Sequence, residues 1–160
     1  MIILRVDDRF IHGQVTVSWV RAYKIKEIWV VSDEIANDEL LSTIQKSSAP
    51  PGVNVKILRL REAIEELNKN SPRDRTLIIV GSPIDALEIV KAGLRIDKVV
   101  LGQMSFKEGR IRIERTISVG IEDARALKEL SELGIRIIYQ QTAADKPKEV
   151  KIEEIMARFH

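Results

Sequence analysis

Along the chain, short runs of consecutive apolar residues alternate with segments whose apolar positions recur at helical spacing. Ile2 to Val6 reads as a strand, and Gly13 to Tyr23 sets Val15, Trp19, Val20 and Tyr23 on one helical face. Glu27 to Ser32 contains Ile28, Trp29, Val30 and Val31 in sequence, the pattern of a strand covered on both sides. Asp33 or Asn37 is then placed to cap a helix carrying Leu40, Leu41 and Ile44, which Pro50, Pro51 and Gly52 stop. Val53 to Leu58 reads as a third strand, and Glu62 to Asn68 as a short helix with Ala63, Ile64 and Leu67 inward.

Thr76 to Val80 makes a fourth strand, and Pro83 suits the first turn of a helix that Gly93 ends. Asp97 to Leu101 is a fifth strand and Arg110 to Val119 holds two short strand-like pieces. Glu122 to Leu133 is a helix stopped by Gly134, Ile135 to Tyr139 a last inner strand, and the tail from Lys146 reads as peripheral. Strands separated by helices of this length predict βαβ units: an α/β fold, one domain over residues 1–160, with an open, mostly parallel twisted sheet and helices on both faces. Ligands of such sheets sit outside the carboxyl ends of the strands, so the loop after the first strand is the expected active loop. The turns at Ser82, at Gly102 to Met104 and at Gln140 to Thr142 are candidate second walls.

Composition narrows the chemistry. The 160 residues are 44% hydrophobic, enough for a core without staples, and Cys is absent, which removes disulfides, thiolate metal sites and Cys nucleophiles. With 26 Lys and Arg against 24 Asp and Glu, the net charge of +2 argues against nucleic acid as a partner. Charged residues of both signs make up 31% of the chain, which reads as a solvated surface and is compatible with ion-pair networks. No apolar run approaches the ~18 residues of a membrane span, and no signal-peptide core follows Met1.

The loop after the first strand runs Arg5, Val6, Asp7, Asp8, Arg9, Phe10, Ile11, His12, Gly13, Gln14, Val15, and holds one of only two histidines. Imidazole is a neutral nucleophile near pH 7 and can accept and pass on a phosphoryl group. His12 is the candidate carrier, and Gly13 and Gln14 open a helix whose free N–H groups favour a phosphate there. Arg9 is the candidate for stabilising the transferring group, because a planar fork matches its oxygens better than a Lys point charge. Asp8, or less favourably Asp7, is the candidate for orienting the ring. Ser82 and Gln103 can donate to phosphoryl oxygens, although capping and loop polarity explain them as well. The alternatives are a polar loop with a structural Arg5–Asp7 ion pair and a metal site of Asp7, Asp8 and His12; no metal or other cofactor is required, and neither a P-loop nor a G-x-G-x-x-G run is present.

RVDDRFIHGQV at 5–15 resembles the phosphorylation-site loop of IIB components of the mannose/fructose/sorbose family of the bacterial sugar phosphotransferase system. The similarity continues through VVSDEIANDEL at 30–40, APPGVNVKIL at 49–58, GSPIDALEIVKAG at 81–93, VVLGQM at 99–104 and LKELSELGIRIIYQQ at 127–141. The resemblance implies an open α/β fold and a cytoplasmic phosphocarrier, peripherally associated with a membrane transporter. Such a carrier takes a phosphoryl group from a IIA phosphohistidine and donates it to a sugar bound by the IIC and IID membrane components. His12 falls on the family's phosphorylated position, Asp8 and Arg9 on its acidic and basic positions, and Gly13 with Gln14 on its phosphate-facing helix start. Leu101 and Gln103 depart from the family pattern, and the proline expected soon after Gln140 is delayed to Pro147. The rival class is a non-catalytic regulator or small-ligand module on the same scaffold, and a homo-oligomer is left open. Lys107, Arg110, Arg112 and Arg115 form a basic cluster able to dock an acidic IIA surface or phospholipid head groups, or simply a solvated face. Trp19 and Trp29 are expected in the core with partnered N–H groups, and His160 is a control histidine without surrounding charge.

Overall fold

The computed structural model describes residues 1–159, and the control histidine His160 lies outside them. In chain order the elements begin β1 (Ile2–Asp7), α1 (Gly13–Tyr23), β2 (Glu27–Val31), α2 (Asp33–Ala36), α3 (Glu39–Ser48), β3 (Asn54–Leu58), α4 (Leu60–Lys69) and β4 (Thr76–Val80). They continue with α5 (Pro83–Lys91), β5 (Lys98–Gln103), β6 (Ile111–Glu114), β7 (Ile117–Val119), α6 (Ile121–Glu132), β8 (Arg136–Tyr139), β9 (Lys148–Glu149) and α7 (Ile152–Ala157).

The seven-stranded sheet has the order β3-β2-β4-β1-β5-β8-β9. Five of its pairings are parallel, and β9 joins β8 antiparallel, so the sheet is mixed. This corrects the reading of the tail as peripheral: Lys148 and Glu149 pair with Tyr139 and Ile138, and Ile152 and Ile155 are buried. The segment escaped the apolar pattern because β9 joins the sheet through backbone pairing and the Arg136–Glu149 ion pair, without apolar side chains. The two pieces between β5 and α6 are an antiparallel hairpin, β6 with β7.

The continuous apolar runs follow from double-sided burial, since successive strand side chains point to opposite faces. Leu4, Val6, Trp29, Val31, Ile78 and Val80 pack under α4 to α7, where Ala63, Leu87, Leu127 and Ile155 close that layer. Ile3, Ile28, Val30, Leu77 and Ile79 face the other way, against Trp19 of α1 and Ile35 of α2. Helices therefore flank both faces. Their starts are fixed locally: Ser32, Asp38 and Ser82 accept from backbone N–H groups three residues on. Two of these caps differ from the sequence reading, because Ser32 opens a separate one-turn helix and Asp38 then caps α3. The loops leaving β1 and β4 depart to opposite faces, which opens a crevice between neighbouring strands at their carboxyl ends. No helix of the described residues is long and apolar enough to cross a membrane.

Candidate active site

Alternation along β1 sends Leu4 and Val6 to the α5 side and leaves Arg5 and Asp7 together on the α1 side. Both are buried, Asp7 completely. Arg5 Nη2 donates to Asp7 Oδ2 at 3.4 Å, and Nη1 donates to the Gln140 carbonyl at 2.8 Å. The guanidinium also lies 5.2 Å from the centroid of the Trp19 ring, and the Trp19 indole N–H donates to the Gln141 carbonyl at 2.9 Å. Gly102 passes beneath it so closely that a methyl group there would overlap the guanidinium. Burial pulls the Arg5 pKa down, and Asp7 opposes that shift.

Beyond Asp7 the chain turns back on itself: the Phe10 N–H donates to the Asp7 carbonyl at 3.0 Å, with Phe10 at φ 61° and its ring against Gly81. The Arg9 N–H and Nε donate to Asp7 Oδ1 at 2.9 and 3.2 Å, and Arg9 Nη2 donates to Oδ2 at 3.2 Å. Arg9 thus shares the buried carboxylate with Arg5 while 27% of its side chain remains exposed. Two guanidinium groups on one carboxylate leave the cluster with one net positive charge.

His12 is the N-cap residue of α1, exposed, and its side chain makes no capping hydrogen bond. Its backbone is held from both sides: the His12 N–H donates to Thr16 Oγ1, and the Ile11 N–H donates to Gln45 Oε1, each at 2.8 Å. Gly13, at φ 47°, takes the left-handed backbone that starts the helix, and Gln14 is exposed beside it. Asp8 is engaged elsewhere: its carboxylate accepts from the Ser105 N–H at 2.7 Å and from Ser105 Oγ at 3.2 Å. Asp8 therefore ties the loop to the segment after β5.

A cleft of about 590 Å³ opens at the carboxyl ends of β1, β2 and β4, between Arg9, Ser32, Gly81, Ser82 and Asp85, with Lys107 and Arg110 at its far side. Ser82 reaches it while capping α5, whereas Gln103, half-buried at the end of β5, and His12 are not among its walls. The Asp85 pKa is raised by burial and by the neighbouring Asp33 and Glu88 carboxylates. Of the basic cluster, Lys107, Arg112 and Arg115 are exposed, while Arg110 turns in to donate to the Ser105 carbonyl at 2.8 Å. Trp19 and Trp29 are both buried, but the Trp29 indole N–H has no partner, contrary to expectation.

The residues not foreseen are Thr16, Gln45 and Ser105, and Gly102 was expected only as part of a candidate wall, not as the floor beneath Arg5. The legible signal for that closer role is a lone glycine at the end of a strand, since such a residue marks close approach of another group. Gln45 was masked because α3 turns Leu40 and Ile44 outward, 68% and 48% exposed, and buries this amide instead.

Residues 1–158 match the family model described as the PTS system sorbose subfamily IIB component. The chain is 32% identical over 157 residues to the sorbose-specific EIIB component of Lacticaseibacillus casei, covering 96% of each protein. It is also 32% identical over 158 residues to the mannose-specific EIIAB component of Escherichia coli strain K12, covering 97% of this chain and 48% of that one. The IIBSor domain of the sorbose permease of Klebsiella pneumoniae, solved by crystallography, shares the fold with a TM-score of 0.89 at 29% identity, over 98% and 97% of the two chains. A match along this whole length places the chain in the sorbose subfamily of phosphotransferase-system IIB components, enzymes that accept a phosphoryl group in the course of sugar transport.

Proposed function

We propose that His12 is the phosphoryl carrier of this IIB component, loaded by a IIA phosphohistidine and discharged to a sugar held by IIC and IID membrane partners. The observation that carries the reading is the exposed, uncommitted imidazole at the start of an eleven-residue helix, in the same loop as a buried cluster of net positive charge. In the loading step the P–N bond on the donor imidazole breaks as a P–N bond forms to His12, and the donor ring keeps the electron pair. The protein's work is positioning and charge stabilisation. Arg9 lends N–H donors to the equatorial oxygens, and the Gly13 and Gln14 amides, which have no intrahelical acceptor, face the phosphate. Asp8 holds the loop through Ser105 and so fixes where the ring stands. Ser82, on the cleft wall after β4, and Gln103, at the end of β5 outside that cleft, are the remaining side-chain donors of the proposed site.

Residues 1–160 act as one domain in this scheme, in the cytoplasm and at the membrane only through their partners. The E. coli relative, whose name joins IIA to IIB, supports a IIA partner for this chain. The test is intact-mass measurement after incubation with a phosphorylated IIA protein. One acid-labile phosphoryl group is expected on the wild type and on His160→Ala, and none on His12→Ala. A folded wild type that takes up no phosphate, or a His12→Ala variant that still does, overturns the assignment.

A further inference from the structure

We propose that Asp7 is a positioning residue for this transfer: its buried carboxylate, locked by Arg5, fixes the Arg9 guanidinium side-on and so presents the remaining Arg9 donors to the phosphoryl group. The inference rests on His12 as the carrier and adds a residue whose side chain does not touch the phosphate.

The hydrogen-bond inventory carries it. Asp7 Oδ1 accepts from the Arg9 N–H and Nε, and Oδ2 accepts from Nη2 of both arginines. With both oxygens doubly engaged and the residue fully buried, Asp7 serves neither as a proton acceptor for the imidazole nor as a ligand to anything in solvent. Side-on pairing consumes Nε–H and one Nη2 proton of Arg9. Of the five N–H donors of a guanidinium, the two on Nη1 and one on Nη2 stay free. A fork held in this way loses little orientational freedom when an oxyanion arrives.

Arg5 makes the arrangement both rigid and cationic. Its guanidinium has one place to sit, fixed by the Gln140 carbonyl, the Trp19 ring and the absent side chain of Gly102. An isolated Asp7–Arg9 pair would be neutral toward a phosphoryl group. The second guanidinium restores a positive charge that the protein interior screens weakly. A buried ion pair is weak evidence for stability alone, and here only one member of the cluster reaches solvent.

The experiment is a double-mutant cycle on the single-turnover rate of transfer from a phosphorylated IIA protein, using wild type, Asp7→Asn, Arg9→Ala and the double variant, each checked for folding by circular dichroism. Asp7→Asn is expected to slow transfer 10- to 100-fold, and the double variant to be no slower than Arg9→Ala alone. A folded Asp7→Asn protein with an unchanged rate, or losses that multiply in the double variant, overturns the proposal. If Asp7→Asn leaves Arg5 unpaired and does not fold, Arg5→Gln with Asp7→Asn removes both buried charges and takes its place in the same cycle. A wild type that is not phosphorylated at His12 fails before any variant is compared, which separates loss of the carrier assignment from loss of the role of Asp7.

Discussion

Arg9 offers only part of its guanidinium to solvent, because one edge is committed to Asp7. That commitment makes Arg and Lys unequal here: an ammonium cannot hold a carboxylate side-on and still present a planar set of donors. Arg9→Ala is expected to slow phosphorylation about 10²- to 10³-fold, the usual cost of removing one charge-stabilising donor, with the fold intact. Arg9→Lys should recover only a small part of the loss in the same rapid-mixing assay. At Gly102 the expected effect is on stability, since a Cβ would displace the Arg5 guanidinium from a closed pocket. Gly102→Ala should cost about 1–3 kcal/mol in denaturant unfolding, as overpacking does. The histidine, the arginine and the helix start were all legible in the chain. The partner of Arg9 was legible in principle, because Arg5 and Asp7 are two apart on a strand and share a face, whereas Asp8 lies past the end of the alternation and is claimed by Ser105, 97 residues away. Contacts of that span leave no trace in local pattern.

The long, doubly covered strands and the helices with clear apolar stripes were predicted to within a few residues, because burial on both sides writes an unmistakable run. The failures have a common cause. The one-turn α2 is too short to show a period, β9 is two charged residues, and α3 is amphipathic in the wrong sense at Gln45. In each case backbone or long-range hydrogen bonding decides, and apolar spacing is silent. The role of α3 is nonetheless specific, for its buried amide holds the Ile11 N–H immediately before His12. Gln45→Ala should leave that donor unsatisfied and cost about 1–3 kcal/mol. Amide exchange is the direct check: faster exchange at Ile11 than across the sheet is expected, and unchanged protection would deny α3 this function.

Over the whole molecule, the carboxyl ends of β1, β2 and β4 gather opposite charges around one cleft, Arg9, Lys107 and Arg110 facing Asp33 and Asp85. The Asp85 pKa is raised because burial, then Asp33 and Glu88, disfavour its charged form. A carboxyl whose pKa is higher in the folded state contributes most below its unfolded pKa, and the contribution is lost as pH rises through the folded value. Asp85→Asn should therefore gain stability relative to wild type as pH rises from the acid carboxylate range toward neutrality. Paired thermal unfolding curves would show a gap that opens with pH, and a constant gap would remove Asp85 from the balance.

A stack of parallel strands is extendable, since each new strand finds the same ladder as the last, and β9 interrupts that series by running the other way. It is short and charged, which is how natural sheets blunt an edge that would otherwise template another chain. Ile152 and Ile155 of α7 follow it directly, so one tail both fills the core and terminates the ladder. Removing residues 146–160 should bare the hydrogen-bonding edge of β8, and the shortened protein should associate as its concentration rises when followed by light scattering. Residues 146–159 then act as a doorstop at the open end of the sheet.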